Sequence, residues 1–345
     1  MASVSVPSLK PGRKIEGISA VLLPYTADGQ PDWEGFRGLL DRTWTAGLTP
    51  AVNMDTGYVN LLTPAERERV LAETAEVAQG RRFIAGAFIE GESGEPGALY
   101  RRAIEQIRTR GGLPILFQCS ALAQRSDEQV LAVYARIGET GGPLLAFELG
   151  TMFAPFGRIY STDVFRRLLD IEAFTGLKHS SLNRACEWQR LEIRDTQRPD
   201  FRIYTGNDLA IDMAFYGSDY LLGLSAFAVE AFAERDRCWA ASDARALTLN
   251  DLLQYLGQLA FRAPVPAYKH SAAQFLKIRG IIATDRPHPR SPRRPDSDIA
   301  LLDDIRQRID RELAGESARG PREESESSNA GALASGGGAP RAGNE

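Results

Sequence analysis

Residues 174–178 read Phe-Thr-Gly-Leu-Lys, a short apolar stretch that ends in one of only five lysines in a chain of 345 residues. In a strand, alternate side chains point to opposite faces, so Gly176 and Lys178 share one face while Leu177 and His179 share the other. An ammonium on an inward face loses hydration, which lowers its pKa and prepares the amine to attack a carbonyl. A lysine at a strand end could instead extend its charge into solvent. We interpret His179, on the opposite face, as a packed or capping residue.

Seven further segments have strand patterns, and amphipathic helical patterns separate them. The eight candidate strands are residues 17–25, 50–55, 83–88, 114–119, 144–149, 174–178, 201–205 and 220–225. Helical periodicity is clearest in residues 32–46 and in residues 64–78, where Thr63 and Glu66 have the spacing of a capping box. Eight strand–helix units within about 220 residues predict a (β/α)8 TIM barrel. The barrel is expected over residues 15–226, with the last barrel helix and additional C-terminal helices in residues 227–313.

A doubly wound open sheet is the competing α/β fold. Such nucleotide-binding folds need a glycine-rich turn after the first strand. Residues 26–32 read Thr-Ala-Asp-Gly-Gln-Pro-Asp instead, which favours the barrel. Outside the barrel, residues 1–14 are predicted to be a flexible arm. Residues 314–345, rich in Gly, Ser, Glu and Ala, are predicted to be a disordered tail.

The composition argues against several classes of function. A net charge of -4 with interspersed arginines is not typical of a nucleic-acid surface. The cysteines and histidines are too scattered for a zinc site or a disulfide framework, and they are Cys119, Cys186, Cys238, His179, His270 and His288. We therefore expect no metal and no cofactor. No apolar run has the length of a signal peptide core or a membrane span, so a cytoplasmic protein without membrane contact is expected.

Catalytic residues of a TIM barrel lie at the C-terminal ends of its strands, and Lys178 lies at one such end. Residues 176–181 read Gly-Leu-Lys-His-Ser-Ser. They resemble the Gly-Ile-Lys-(Glu/Asp)-(Ser/Ala)-Ser segment of the dihydrodipicolinate synthase and N-acetylneuraminate lyase family, and this is the most specific match. The resemblance extends over roughly residues 15 to 315. Further matching segments follow in the correct order at residues 23–29, 54–58, 62–67, 205–208 and 264–269.

The resemblance implies roles for several residues. Lys178 would form a Schiff base with a small 2-oxo acid, and Thr56 and Gly57 would hold the substrate carboxylate. Leu222, within the eighth candidate strand, is a further expected substrate contact. The resemblance also implies a homo-oligomer, either a dimer or a tetramer.

The proton-transfer groups depart from the family pattern. The family places a tyrosine at the end of strand five, where this chain has Phe147, which keeps the ring and lacks the hydroxyl. Asp55 replaces the first threonine of the family loop and could act as a base, favour a cationic iminium or cap a loop amide. Glu148 follows Phe147 directly, and it could be a base if a bulge turned it inward.

Three further residues are possible participants. Tyr58 replaces a glutamate of the family loop, and it could donate a proton or pack. Residues 151–160 form a longer and more aromatic loop than the family's, from which Arg158 could bind a second substrate carboxylate and Tyr160 could donate a proton. A surface arginine and a packed aromatic lid are the alternatives.

The leading hypothesis is a lyase of the class I aldolase type that acts on pyruvate or a pyruvate-derived 2-oxo acid. A protonated imine on Lys178 would withdraw electrons from the neighbouring carbon, which permits carbon–carbon bond formation or cleavage. The same imine also permits a hydro-lyase that dehydrates a sugar acid. A third possibility is a homologue that binds a metabolite or serves as an assembly partner without turnover.

Overall fold

Eight parallel strands close into a barrel in the computed structural model, which describes residues 6–315. The strands are β1 Gly17–Ala20, β2 Thr49–Val52, β3 Ile84–Ala87, β4 Leu113–Leu116, β5 Leu144–Leu149, β6 Phe174–Ser180, β7 Arg202–Thr205 and β8 Asp219–Leu222. The helices are α1 Trp33–Thr45, α2 Pro64–Ala78, α3 Pro96–Thr109, α4 Ser120–Ala123, α5 Asp127–Gly138, α6 Thr162–Leu169, α7 Arg184–Gln197, α8 Val229–Ala240, α9 Arg245–Ala260, α10 Tyr268–Ile278 and α11 Asp298–Leu313. Each strand pairs with the next and β8 pairs with β1, so the predicted TIM barrel is confirmed and the open sheet is wrong.

The capping signals in the sequence mark the helix starts. The Asp32 side chain accepts a hydrogen bond of 2.9 Å from the Gly35 N–H at the start of α1. At the start of α2, the Thr63 hydroxyl accepts from the Glu66 N–H at 3.2 Å, and the Glu66 carboxylate accepts from the Thr63 N–H at 2.7 Å. These bonds satisfy N–H groups that have no partner within the helix, which explains why both helices begin where the pattern predicts.

Most strands end earlier than the sequence pattern indicates. β2 ends at Val52, and the chain then turns through Asn53, whose φ is 51°, into a short 3-10 turn at Asp55–Gly57. This turn ends at Tyr58, whose φ is 61°. The result is that Asp55 and Thr56 lie on a loop over the barrel mouth.

Two apolar cores result from the alternation of side chains along the strands. The inner core fills the barrel and includes Ile18, Leu145 and Leu221, all essentially without solvent exposure. The outer core lies between the strands and the helices. Gly176 lies where a Cβ atom would approach the Arg202 carbonyl oxygen and the Tyr204 ring within 2.9 Å, so β6 and β7 can approach closely only without a side chain there.

The additional C-terminal helices pack against one another and against α8, as expected from the sequence. The segment between α9 and α10 returns Phe261 and Tyr268 to the barrel mouth. At the chain's other end, residues 6–14 form no helix or strand, and the Lys10 N–H donates to the Phe215 carbonyl at 2.8 Å. The predicted tail from residue 316 onward, and residues 1–5 of the predicted arm, lie outside the described residues.

Within residues 6–315, no helix has the length and apolarity needed to cross a membrane. The same residues contain no cluster of three or more His, Cys, Asp or Glu side chains that could hold a metal ion.

Candidate active site

A cavity of about 210 Å³ opens at the C-terminal ends of the strands, and Lys178 lies in its wall. Lys178 comes from β6 and is a neighbour of Phe147 on β5 and of Tyr204 on β7. Lys178 is only 9% exposed to solvent, and its Nζ atom lies 4.5 Å from the centre of the Phe147 ring. Gly206 lies beside the lysine stem, where a Cβ atom would come within 2.7 Å of the lysine Cε. The cavity thus presents a desolvated amine against an aromatic face.

The environment of Lys178 weakens its hold on a proton. Burial lowers the pKa of Lys178 to about 8, even though the charges of Asp208 and Asp55 act in the opposite direction. At pH 7 about one amine in ten is therefore neutral, compared with far fewer for a solvated lysine. This lysine is suited to nucleophilic attack on a carbonyl near neutral pH.

Asp208 is a second titratable group in the cavity wall. It follows β7, and its Oδ1 accepts a hydrogen bond of 2.7 Å from the Leu224 N–H. Burial raises the pKa of Asp208 to about 7, although the Leu224 N–H and the Lys178 charge favour the ionised form. Asp208 can therefore gain and lose a proton near neutral pH.

Asp55, Thr56, Tyr268 and Lys269 form a hydrogen-bonded cluster at the mouth. The Tyr268 hydroxyl donates to Asp55 Oδ2 at 2.9 Å and lies 2.9 Å from Thr56 Oγ1. Since a tyrosine hydroxyl has one proton to donate, Thr56 is the donor to Tyr268 in this arrangement. The Lys269 ammonium lies 3.0 Å from Asp55 Oδ1.

The same cluster sets the protonation of its members. Loss of hydration raises the pKa of the Asp55 carboxyl, but the Lys269 ammonium, the Tyr268 hydroxyl and the Lys178 charge together hold it below its usual value. Burial raises the pKa of Tyr268 well above its usual value. Asp55 is therefore ionised and Tyr268 protonated at neutral pH.

Known structures share this architecture. A prophage protein of the dihydrodipicolinic acid synthase family from E. coli K12, solved in complex with pyruvate, superposes with a TM-score of 0.75 at 16% identity, over 86% of this chain and 98% of that one. Dihydrodipicolinate synthase from Thermotoga maritima gives a TM-score of 0.71 at 17% identity, over 86% and 99% of the two chains. The fold is that of the dihydrodipicolinate synthase family. The family resemblance seen in the sequence is thereby confirmed at the level of the fold.

Sequence comparisons add less. No family model matches the chain. An uncharacterized DapA-like lyase from Pyrobaculum arsenaticum is 40% identical over 73 residues, which are 21% of this chain. The match spans only 24% of that relative's length.

Some of the predicted substrate-binding residues line the cavity, and others do not. Thr56 lies in the cavity wall, as Lys178, Phe147 and Asp55 do. Gly57 does not line the cavity, and its N–H is already bonded to the Met54 carbonyl at 3.0 Å. Leu222 belongs to the outer core and does not line the cavity either. The expected substrate contacts from Gly57 and Leu222 are therefore corrected.

Glu148 is turned away from the cavity. No bulge occurs at this position, because the only irregularity of the β5–β6 register lies between Leu144 and Leu145. The carboxylate is completely buried on the outer face of β5, 2.6 Å from His179 Nδ1 and 3.1 Å from Arg190 Nε. Burial alone would raise the pKa of Glu148, but these neighbours lower it to about 2. Its predicted role as a base in the cavity is corrected to membership in a buried network.

The packed interpretation of His179 agrees with this network. Its Nδ1 atom contacts Glu148, and its Nε2 atom lies 2.7 Å from Ser181 Oγ. The backbone N–H of Tyr160 also donates to Glu148 at 2.8 Å. The network anchors the loop after β5 to the outer side of the barrel.

Arg158, Tyr160 and Tyr58 also lie away from the cavity. Arg158 forms an ion pair with Asp127, and its Nη1 atom donates to the Arg125 carbonyl at 3.1 Å. The Tyr160 hydroxyl lies 2.5 Å from the Tyr134 hydroxyl.

Tyr58 is buried between aromatic neighbours, with its ring centre 5.7 Å from those of both Tyr25 and His288. The packing alternative holds for Tyr58 and Tyr160, and the expected carboxylate contact of Arg158 is corrected. The loop that carries Arg158 and Tyr160 does reach the cavity, but through the apolar residues Phe153, Ala154, Pro155 and Phe156.

The sequence did not assign four residues that the structure brings to the site. Asp208 and Tyr268 lie in segments that resemble the family, residues 205–208 and 264–269. The sequence therefore marked these segments but assigned no function to the two residues. Lys269 belongs to the second of these segments. Glu90, which follows β3 and lines the cavity, lies in no matched segment.

Proposed function

We propose that the chain is an enzyme, a lyase of the class I aldolase type in which Lys178 forms a Schiff base with pyruvate or a pyruvate-derived 2-oxo acid. The observation that carries this proposal is the buried amine of Lys178, with its pKa lowered to about 8, in the wall of the cavity at the barrel mouth. The similarity to a pyruvate-bound structure and to a DapA-like lyase supports it.

The proposed reaction proceeds through an imine and then an enamine on Lys178. The neutral amine adds to the keto carbon, and loss of water leaves a protonated imine. Removal of a proton from the adjacent carbon gives an enamine, whose carbon forms a bond to an aldehyde carbon while the aldehyde oxygen takes up a proton. Water then adds to the imine, releases the 4-hydroxy-2-oxo acid and restores the lysine. Cleavage is the reverse sequence.

The proton carrier in this proposal is the pair of Asp55 and Tyr268. The ring of Phe147 offers no hydroxyl, whereas the Tyr268 hydroxyl lies between Asp55 and Thr56 at 2.9 Å from each. Asp55 is ionised and can accept a proton, and Tyr268 is protonated and can donate one. Thr56 can hold the substrate carboxylate through its hydroxyl.

A hydro-lyase acting through the same imine is the second candidate. Asp208 favours it, since a carboxyl with its pKa raised to about 7 keeps a proton that a departing hydroxyl could take. The two functions differ in one simple property, because only an aldolase needs to form an enamine from pyruvate itself. The third candidate is a homologue that binds a metabolite or serves as an assembly partner without turnover.

Reductive trapping tests these alternatives. The protein is incubated with pyruvate and with longer 2-oxo acids, reduced with borohydride and analysed by peptide mass spectrometry, with Lys178→Met as the control. An adduct on Lys178 with pyruvate, together with exchange of the methyl protons for deuterium, supports the aldolase. An adduct only with longer sugar acids supports the hydro-lyase. No adduct from folded protein would contradict both and favour the homologue without turnover.

We also propose a homo-oligomer, a dimer or a tetramer, from the family resemblance. One similar structure, with a TM-score of 0.72 and 17% identity over 86% of this chain and 97% of that one, is of a monomeric dihydrodipicolinate synthase variant. Light scattering on the purified chain distinguishes the possibilities directly.

A further inference from the structure

The wall of the cavity beyond the reacting groups is built from aromatic rings. Phe147, beside the Lys178 amine, has its ring centre 5.0 Å from that of Phe117, and Phe117 lies 5.5 Å from Phe88 in the same way. Both pairs meet edge to face, at 74° and 77°. Phe153 and Phe156 from the loop after β5 extend this surface toward solvent. An apolar surface therefore leads outward from the amine.

Carboxyl groups outnumber ammonium groups in the cavity wall, and Lys269 offsets the charge of Asp55 from outside it. Asp55, Asp208 and Glu90 line it, and Lys178 is the only lysine or arginine among its lining residues in the described part of the chain. Glu90 is held in place, because its Oε1 accepts from the Ser120 hydroxyl at 2.6 Å and its Oε2 accepts from the Ser120 N–H at 2.8 Å. A second carboxylate or a phosphate on the substrate would meet a fixed negative charge and lack a cation.

The cavity has room for a ring. Its volume is about 210 Å³, and apolar cavities of roughly 150 Å³ in other proteins accommodate benzene. A polyhydroxylated chain would place most of its hydroxyl groups against phenylalanine rings, where Glu90 and Asn60 offer only a few hydrogen-bond partners, and this is unfavourable. An aromatic ring would instead replace water along that surface and make edge-to-face contacts.

We propose that the aldehyde that adds to the Lys178 enamine, and thus the substituent on carbon 4 of the 2-oxo acid product, is aromatic and uncharged. This inference rests on the proposed aldolase function. With benzaldehyde as the partner, the enamine carbon of pyruvate forms a bond to the aldehyde carbon and the aldehyde oxygen becomes the product hydroxyl. No further reactant is needed.

The test compares aldehydes with pyruvate held constant. The specificity constant kcat/KM is measured for benzaldehyde, for glyceraldehyde as a polyhydroxylated partner and for succinic semialdehyde as an anionic one. We expect benzaldehyde to exceed both by at least tenfold. A preference for either of the others would overturn the inference. Borohydride trapping of pyruvate on Lys178 is measured in the same preparation. If pyruvate is trapped but benzaldehyde is not preferred, only this inference fails, whereas absence of trapping contradicts the proposed function itself.

Benzaldehyde and glyceraldehyde differ in their own reactivity toward an enamine. Comparing the same two aldehydes in wild type and in variants of the loop after β5 cancels this difference. Phe156 lines the cavity and is partly exposed, so Phe156→Ser is compatible with folding. It should lower kcat/KM for benzaldehyde about tenfold and change that for glyceraldehyde less than twofold. Met152→Ser is the matched control, since Met152 is 43% exposed and does not line the cavity. Equal losses for both aldehydes in Phe156→Ser would overturn the inference.

The fixed charge of Glu90 gives an independent test. Glu90→Gln removes the charge and keeps an oxygen that can accept from Ser120. This variant should raise kcat/KM for succinic semialdehyde at least threefold relative to benzaldehyde. An unchanged ratio would contradict the part of the inference that concerns anionic partners.

Discussion

The chemistry proposed for this barrel depends on the amine of Lys178, whose pKa burial lowers to about 8. Only the neutral amine adds to a ketone, so the rate of imine formation should rise with pH up to about 8 and level off above it. Trapping of pyruvate with cyanoborohydride from about pH 6 to about pH 11 measures this profile. A midpoint near the ordinary lysine value of about 10.4 would show that the amine is solvated.

Asp208 should influence this profile through its charge. Its carboxylate raises the pKa of Lys178, so Asp208→Asn should move the midpoint of the trapping profile to lower pH. The asparagine oxygen can still accept from the Leu224 N–H, which preserves the loop. Asp200→Asn is the control, because the Asp200 side chain is 79% exposed and pairs only loosely with Arg198 at 3.7 Å. An unchanged midpoint in Asp208→Asn would show that the charge of Asp208 does not influence the pKa of Lys178.

In the proposed mechanism Tyr268 provides the hydroxyl that Phe147 lacks, so removing this hydroxyl should affect proton transfer more than imine formation. In Tyr268→Phe, exchange of the pyruvate methyl protons for deuterium should slow by about 10²-fold or more, while trapping on Lys178 persists. Tyr58→Phe is a matched control, because Tyr58 is buried near the site without lining the cavity. It should change exchange by less than about threefold. Equal losses in the two variants would indicate a packing role for Tyr268.

Helix α7 is joined to the outer face of β5 by a buried ion pair. Arg190 on α7 and Glu148 on β5 are both buried, and the Arg190 guanidinium also donates to the Tyr160 carbonyl at 2.5 Å. Glu148→Gln would leave a buried guanidinium without its counter-ion, so it should lower the free energy of unfolding by about 3 kcal/mol or more. Denaturant unfolding measures the change. Because the carboxylate faces away from the cavity, folded Glu148→Gln protein should still trap pyruvate.

An exposed pair between the same residue types gives the comparison. Glu128 is 73% exposed and pairs with Arg167 at the surface, so Glu128→Gln should lower the free energy of unfolding much less than Glu148→Gln does. Similar costs for the two substitutions would mean that the buried network contributes no more than a surface pair. Loss of trapping in folded Glu148→Gln protein would restore a catalytic role for Glu148.

The elements also show which features a sequence can reveal. Strand alternation alone turned Phe147 and Lys178 inward and His179 toward the helices, because the period of two is a property of each strand. The same alternation turns Glu148 outward, and its possible role as a base required a bulge that the structure does not have, whereas its partner Arg190 is 42 positions away. The Tyr268 contact with Thr56 spans 212 positions. Local periodicity predicts which face a side chain takes, and it contains no information on such distant partners.

The barrel and the C-terminal helices share one cavity across the whole molecule. The predicted boundary at residue 226 separates the barrel from the C-terminal helices, yet Phe261 and Tyr268 lie in the wall of the barrel's cavity. Lys269, the second residue of α10, pairs with Asp55 on the loop after β2. The C-terminal helices thus complete the site, and the pair of Lys269 and Asp55 joins the two parts of the molecule.

Two lysines of α10 allow this joint to be tested. The Lys269 side chain is 3% exposed, while Lys277 is 50% exposed and pairs with Asp285 at 3.0 Å. Because the Asp55 side chain is 49% exposed, its interaction with Lys269 is partly screened by water. Lys269→Met should therefore lower the free energy of unfolding by about 2 kcal/mol, and Lys277→Met by less than about 1 kcal/mol.

The pH dependence identifies the partner of Lys269. Asp55 has its pKa lowered in the folded chain, so the pair adds stability at pH values above the unfolded value of about 3.9 and loses it as the pH falls through the lowered pKa. The difference between wild type and Lys269→Met should accordingly shrink as the pH falls below about 4. Denaturant unfolding at neutral and acidic pH measures it. A difference that stays constant with pH would assign the stabilisation to packing of the lysine stem, and the hydrogen bonds of Tyr268 to Asp55 and Thr56 would then be the polar link at this joint.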